Sequence, residues 1–241
     1  MNGITDAQLL ERFVRNECEE AFAALVTRHI HLVHSVALRH TNNPHHAEEI
    51  TQAVFIILAR KARSLSAGIV LPGWLYRTAW LTAGNFKRAE WRRTRREQEA
   101  FMQTRPEETP TWRAWEELSP FLDEAMARLN RSDRDALVLR YFQCRSLHEV
   151  GKALGLEERA AQKRVSRALE KLRRSLSKHG AASTAASIGI LVSANSTQAA
   201  PTALATSISA AALKGSTVAA STLTLVKGTL HSMTWMKLKT A

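Results

Sequence analysis

Six histidines in the N-terminal part of the chain form the most obvious group of residues that could do chemistry. They are His29, His31, His34, His40, His45 and His46. Their spacing matches no zinc signature, and although His31 and His34 could share a helix face, surface histidines explain them better. The chain also has no glycine-rich phosphate loop, nucleophile elbow or evident paired-carboxylate site. We therefore expect no catalytic residue, metal or cofactor, and an enzyme acting on nucleic acid stays a minor alternative.

A second group of residues suits binding rather than catalysis, and it lies between Ser146 and Lys178. Ser146 is placed to cap a short helix, and Gly155 to end it in the left-handed conformation. A longer helix follows, and its outer face carries Arg159, Gln162, Lys163, Arg164, Arg167, Lys171, Arg173 and Arg174. Two helices around a glycine-bearing turn, the second one basic, predict a helix-turn-helix that places its second helix in the major groove. A surface helix with merely solvated charges is the alternative.

A second basic stretch follows Gly84 on a predicted helix that begins near Trp74. It contains Lys87, Arg88, Trp91, Arg92, Arg93, Arg95 and Arg96. Cationic side chains can meet phosphates while an interleaved aromatic ring offers a stacking platform for unpaired bases. This pattern favours a nucleic-acid surface over a solvated helix end with Trp91 packed against a neighbour.

The composition agrees with a polyanionic partner, because 241 residues carry a formal net charge of +12. Nucleic acid and an anionic membrane surface both satisfy that charge. Cys18 and Cys144 lie far apart and suggest no disulfide framework, which is compatible with a reducing cytoplasm. We expect no secretory signal at the N-terminus and no membrane span, since no run of about 18 strongly apolar residues occurs.

Helical periodicity throughout predicts an all-α fold of two small domains. The first covers residues 1–97. Its third helix exposes Glu48, Glu49, Gln52 and Arg60 and places Phe55 beside that polar face, either as a protein contact surface or packed against a neighbouring helix. Residues 98–117 predict a flexible linker, and 118–178 a four-helix unit that ends in the helix-turn-helix.

The remaining residues, 179–241, are dominated by Ala, Ser and Thr and contain no Asp, Glu or Arg after Gly180. They predict a flexible, low-complexity tail with weak helices at 199–213 and 216–236. Trp235 and the lysines beside it resemble a membrane-interface flank, so membrane contact through the tail is an alternative that we favour less.

Four segments, in this order, resemble the extracytoplasmic-function (ECF) sigma factors, which belong to the sigma-70 family of bacterial transcription initiation factors. The segments are AFAALVTRHIHLVHSVALRH, AEEITQAVFIILARKA, GWLYRTAWLTAGNFKRAEWRR and LNRSDRDALVLRYFQCRSLHEVGKALGLEERAAQKRVSRALEKLR. The resemblance covers roughly residues 5–178. It implies a promoter-melting domain, then a linker, then a domain that reads the minus-thirty-five element. The tail is absent from minimal members of the family.

The resemblance also implies roles for individual residues. Residues that would bind core RNA polymerase are Glu49, Gln52 and Phe55. The loop from Ser64 to Leu71 would capture a base flipped from the non-template strand. Residues that would hold the downstream element and the melted strand are Asn85, Arg88, Trp91, Arg92 and Arg93. Residues that would read the upstream element are Glu158, Arg159, Gln162, Lys163 and Arg167.

The expected function is therefore to direct core RNA polymerase to specific promoters and to assist melting, in the cytoplasm and without enzymatic chemistry. The expected partners are core polymerase and promoter DNA, with an anti-sigma factor as a further option. One alternative is a regulator that binds an operator alone, as a dimer on paired half-sites. Another gives the tail the primary role, as an anchor to a membrane or to an inhibitory partner.

Overall fold

The computed structural model describes residues 4–65, 68–94, 110–178, 184–214 and 218–238, and in those ranges it contains helices and no strands. It forms two compact units, one from Met1–Ala83 together with Thr197–Ala241 and one from Gly84–Ser196. The all-α, two-domain prediction is confirmed. The C-terminal part of the chain, however, is divided between the two units.

The first unit begins with helices α1 (Asp6–Asn16), α2 (Glu19–Thr41) and α3 (Pro44–Lys61), followed by a 3-10 turn at Ala62–Ser64. Thr5 and Gln8 form a capping box at the start of α1. Asn43 caps α3, and Pro44 occupies its first turn, where the missing amide proton would have no intrahelical partner.

Buried histidines are a correction to the expectation that the histidines lie on the surface. His29 is fully buried, and its Nε2 atom lies 2.9 Å from Oδ2 of Asp6, so this pair joins α1 to α2. Burial by itself raises the pKa of Asp6, but the hydrogen bonds and charges of His29 and Arg28 outweigh it and hold that pKa at about 2. His34 is also buried, and within the described residues no cluster of three metal-ligating side chains occurs.

Helix α4 (Leu71–Thr94) begins before Trp74, near which the sequence predicted its start, and its first turn includes Pro72 and Gly73. A proline in the first turn of a helix loses no hydrogen bond, since the amide of that position has no intrahelical partner.

The predicted linker, 98–117, falls mostly on residues outside the described ranges. The last part of the predicted linker is instead helical: α5 (Pro110–Ala127) begins within it, and Trp115 on that helix is buried.

The second unit continues with α6 (Arg131–Leu137), a π-helical turn (Val138–Phe142), α7 (Leu147–Leu154) and α8 (Glu158–Ser177). Asn130 caps α6 by accepting a hydrogen bond from the amide of Asp133 at 2.8 Å, which separates α6 from α5. Helices α6 and α7 both pack against α8, and the core includes Leu118, Leu122, Met126 and Leu137.

The C-terminal residues form α9 (Ala185–Asn195), α10 (Thr202–Lys214) and α11 (Ala220–Leu238). Two of these helices were predicted at nearly these positions, but as weak helices in a flexible tail. Instead, α9 packs in the second unit on α5 and α8, while α10 and α11 pack in the first unit on α3, and α10 also on α2. Their buried side chains recur at helical spacing, which gives these alanine-rich segments an apolar face to bury.

Within the described residues, one helix has the length and hydropathy of a membrane span, and it is α2. Two thirds of its apolar window is buried by neighbouring helices, as in the core helix of a globular domain.

Candidate nucleic-acid interface

The turn between α7 and α8 has the geometry that the sequence predicted. The hydroxyl of Ser146 accepts a hydrogen bond from the amide of Glu149 at 3.2 Å, and the Glu149 carboxylate accepts one from the Ser146 amide at 2.8 Å. These bonds form a capping box at the start of α7. Gly155 ends that helix at φ 65° and ψ 36°, the left-handed conformation that glycine adopts without a steric penalty.

A close approach of the backbone fixes this turn, and sequence reasoning missed it. A Cβ atom placed on Gly151 would lie only 2.6 Å from the carbonyl oxygen of Leu156. The amide of Leu156 donates to the carbonyl of Gly151 across the same gap, at 2.8 Å. A glycine inside the predicted helix was the signal, since glycine weakens a helix unless the position requires it.

Helix α8 buries an apolar stripe and exposes the predicted reading face. The buried side chains are Ala161, Val165, Ala168, Leu169 and Leu172. The structure leaves all five residues of the expected reading face exposed, namely Glu158, Arg159, Gln162, Lys163 and Arg167. Glu158 and Gln162 are four residues apart, as are Arg159, Lys163 and Arg167 in succession, so the five residues occupy one half of the helix surface, which we call the α8 face.

Charges along α8 divide into a paired part and an unpaired part. Near its C-terminal end, Glu170 accepts hydrogen bonds from Arg173 and Arg174, and these bonds hold the pKa of Glu170 at about 2. Lys171 donates to Asp133 at 2.6 Å. Among the described residues, no such ion pair neutralises Arg159, Lys163 or Arg167. Of these unpaired cations, Arg159 and Lys163 lie near the N-terminal end of α8, the end that meets base edges in a helix-turn-helix, and Arg167 lies farther along.

The basic end of α4 presents part of the second predicted surface. Arg88 is exposed and donates a hydrogen bond to Oδ1 of Asn85, which is half-buried. The side chain of Trp91 is 63% exposed. Arg92 and Arg93 belong to the same helix, but their side chains lie outside the described residues.

The loop predicted to capture a flipped base begins at the 3-10 turn and ends at the start of α4. Its described part includes Leu65 and Ile69, which line a cleft of about 290 Å³ together with residues of α1. Ser64 donates a hydrogen bond to the carbonyl of Lys61 at 2.8 Å, which tethers one end of the loop. Residues 66 and 67 lie outside the described ranges.

Helix α3 corrects one expectation about the polymerase-binding residues. Phe55 was placed beside an exposed polar face, yet its side chain is completely buried. Glu49 and Gln52 are half-buried, and Oε1 of Glu49 lies 3.4 Å from the hydroxyl of Thr222 on α11. The physical reason is that α10 and α11 pack on α3, which the sequence pattern of α3 alone could not reveal.

Comparison with known proteins identifies both helical units. Residues 25–93 match the Sigma-70 region 2 family, and residues 125–174 match the Sigma-70 region 4 family. The chain belongs to the sigma-70 family. It is similar to the RNA polymerase sigma factor CarQ of Myxococcus xanthus, with 29% identity over 168 residues that cover 68% of this chain and 93% of that protein. It is also similar to the ECF RNA polymerase sigma factor SigE of Mycolicibacterium smegmatis, with 31% identity over 161 residues that cover 64% of this chain and 61% of that protein.

The predicted resemblance to ECF sigma factors is therefore confirmed, and this sigma factor directs transcription from promoters. The region 2 match contains α3 and the basic end of α4. The region 4 match contains the α8 face. Helices α9 to α11 lie beyond both matches.

Proposed function

We propose that this sigma factor brings core RNA polymerase to its promoters through three surfaces: the α8 face for the upstream element, the basic end of α4 for the melted downstream element, and α3 for the polymerase. The observation that carries the proposal is the α8 face, because five polar and charged side chains are exposed together on a helix-turn-helix. The two matched sigma regions agree with this division.

Reading of the upstream element follows from the side-chain types on the α8 face. Arg159 and Lys163 can donate to the O6 and N7 acceptors of guanine, and Gln162 can make the donor–acceptor pair that adenine requires. Glu158 can accept from the amino group of cytosine. Arg167, farther along the helix, suits a phosphate contact that sets the register of the helix in the groove.

Melting of the downstream element requires a surface that holds single-stranded DNA. Trp91 offers an exposed ring on which an unpaired base can stack, which contributes about 1–3 kcal/mol for each base. Arg88, Arg92 and Arg93 supply cations for the phosphates of that strand. The cleft beside Leu65 and Ile69 is the site that we assign to a base flipped out of the duplex.

Core polymerase converts two weak DNA contacts into a selective one. Each DNA-binding surface alone would bind promoter DNA with modest affinity. When α3 is bound to the polymerase, the second contact becomes intramolecular and benefits from a high effective concentration. The protein itself supplies binding and orientation, and the chemistry of RNA synthesis belongs to the polymerase.

The decisive experiment is transcription by purified core polymerase on a library of promoter templates, with and without the full chain. We expect initiation from a limited set of promoters that share two elements. Binding to duplex DNA in the absence of polymerase should be weak and should fall steeply with salt. Tight duplex binding without any polymerase association would contradict the proposal and favour a regulator that binds an operator alone.

A further inference from the structure

The middle of α3 is buried in every direction around the helix axis. Six successive residues from Ala53 to Leu58 are all buried: five of them are completely inaccessible, and Ile56 is 4% exposed. Successive residues of an α-helix point about 100° apart, so six of them cover every direction around the axis. Neighbouring helices therefore enclose this part of α3 on all sides.

The additional cover comes from the C-terminal helices. Helix α2 packs on α3, and so do α10 and α11, which together we call the C-terminal hairpin. Its buried residues lie at helical spacing: Leu204, Ile208 and Ala211 on α10, and Thr222, Leu225, Val226 and Thr229 on α11. Each of the two helices thus presents one continuous buried stripe to the rest of the first unit.

Polar contacts hold the hairpin in register with this surface. The amide of Gln198 donates to the hydroxyl of Ser35 at 2.6 Å, and the amide of Ala200 donates to Nδ1 of His31 at 2.9 Å. These two amides lie in the segment just before α10, whereas on α11 the hydroxyl of Thr222 donates to Glu49 at 3.4 Å. Glu49 is one of the residues that we assign to polymerase binding, so the hairpin contacts that site directly.

We propose that the C-terminal hairpin and core RNA polymerase compete for the same surface of α3, so that the hairpin holds the sigma factor inactive until it is displaced. This proposal rests on the proposed role of α3. The buried face of the hairpin is suited to reversible release, because alanine and threonine supply three of its seven buried side chains. These side chains expose less apolar area to water when the hairpin leaves than larger apolar side chains would.

The first test measures the affinity of the full chain for core polymerase after the hairpin is weakened. Ile208→Asp together with Val226→Asp places two carboxylates at completely buried positions, where an unpaired charge is strongly unfavourable. The matched control is Thr206→Asp with Ser221→Asp, which adds the same charge at exposed positions of the same two helices. We expect at least about tenfold tighter binding for the first variant, since apparent affinity scales with the fraction of open molecules. The control should stay within about twofold of the original protein.

A second measurement uses the unaltered chain, so it does not depend on how well the variant folds. Hydrogen exchange is followed in the full chain with and without core polymerase. We expect the amides of α10 and α11 to lose protection on binding while those of α3 remain protected. A hairpin that stays protected in the complex would overturn the competition, as would a folded Ile208→Asp, Val226→Asp variant that binds no more tightly than the control.

These outcomes separate the two proposals. If the original chain binds polymerase and directs initiation but the hairpin stays protected, the sigma function holds and the competition is wrong. If neither the original chain nor the opened variant binds polymerase, both proposals fail together. Binding by the opened variant alone supports both.

Discussion

The α8 face and the outer surface of α3 are both candidate contact surfaces, and the structure treats them in opposite ways. On α8, Arg159, Lys163 and Arg167 are exposed and have no ion-pair partner within the described ranges. On α3, Phe55 is completely buried, and Glu49 accepts a hydrogen bond from Thr222 of the C-terminal hairpin. One surface is open to its proposed partner, and the other is covered by the chain itself.

The difference follows from the chemistry of the two surfaces. Burying an arginine or lysine without an opposite charge costs several kcal/mol, so a basic reading face stays in water until DNA arrives. Covering the apolar run from Ala53 to Leu58 stabilises the folded protein by about 25 cal/mol for each Å² of apolar surface removed from water. A protein-binding surface of this kind therefore attracts cover from the same chain, whereas a DNA-binding surface does not.

The largest effect that would sharpen this comparison is expected on the open surface. Arg159→Ala with Gln162→Ala should reduce discrimination between promoter sequences by about 1–3 kcal/mol for each lost base contact. Competition between matched and altered upstream elements in a transcription assay measures it. Arg174→Ala serves as the control, because Arg174 is exposed but paired with Glu170. Unchanged sequence preference in the double variant would show that another surface reads the upstream element.

A comparable effect should come from the turn that presents the α8 face. Gly151→Ala places a Cβ atom 2.6 Å from a backbone carbonyl that cannot move aside cheaply, and overpacking of this kind costs about 1–3 kcal/mol. Gly84→Ala is the matched control, because its Cβ would meet only the flexible end of Arg88, at 3.9 Å. The α8 amides should lose protection from hydrogen exchange in Gly151→Ala and keep it in Gly84→Ala. Equal protection in both variants would contradict the role of Gly151.

A smaller, pH-dependent effect is expected in the first unit. Burial is the main reason that the pKa of His34 is lowered, with a further contribution from His31 that Glu48 opposes. The unfolded chain therefore takes up a proton near pH 6.5 that the folded chain does not, and stability falls as the pH decreases below that value. The loss is at most about 1.4 kcal/mol for each pH unit.

Replacement of His34 tests this dependence. His34→Leu should flatten the difference in α2 hydrogen-exchange protection between pH 7.5 and 5.5, after correction for intrinsic rates. His45→Leu, which changes an exposed histidine of the same unit, is the control and should leave the difference intact. A slope that persists in His34→Leu would assign the pH dependence to another group. The α8 amides should show no response to either substitution.

The smallest effect concerns the covered surface. Nothing lies within 4 Å of a Cβ atom added to Gly228, so Gly228→Ala should stabilise α11 by about 0.5–1 kcal/mol through helix propensity alone. If the hairpin competes with polymerase, the apparent affinity of the Gly228→Ala protein for core polymerase should fall by about two- to fivefold, while its binding of duplex DNA stays the same. Higher helix stability with unchanged polymerase affinity would count against competition.

Much of the open surface could be predicted from the sequence because its signals are local. Ser146 with Glu149, and Gly155 after Leu154, mark the ends of α7 within a few residues. The stripe from Ala161 to Leu172 fixes which side of α8 is buried, and so which side is exposed. The contact at Gly151 was less visible, because a glycine in a helix has several explanations and only the path of the turn selects one.

The sequence by itself thus determined the helices, the helix-turn-helix and the family resemblance, since capping residues and apolar periodicity act over a few residues along the chain. Tertiary structure alone decided the state of α3 and the burial of His29 and His34. Thr222 and Glu49 are 173 residues apart in sequence, and no local sequence pattern on α3 predicts a contact with a residue so distant. Phe55 lies in the run from Ala53 to Leu58, which is apolar on every side of the helix, so the helices that pack against this run determine whether Phe55 is exposed or buried.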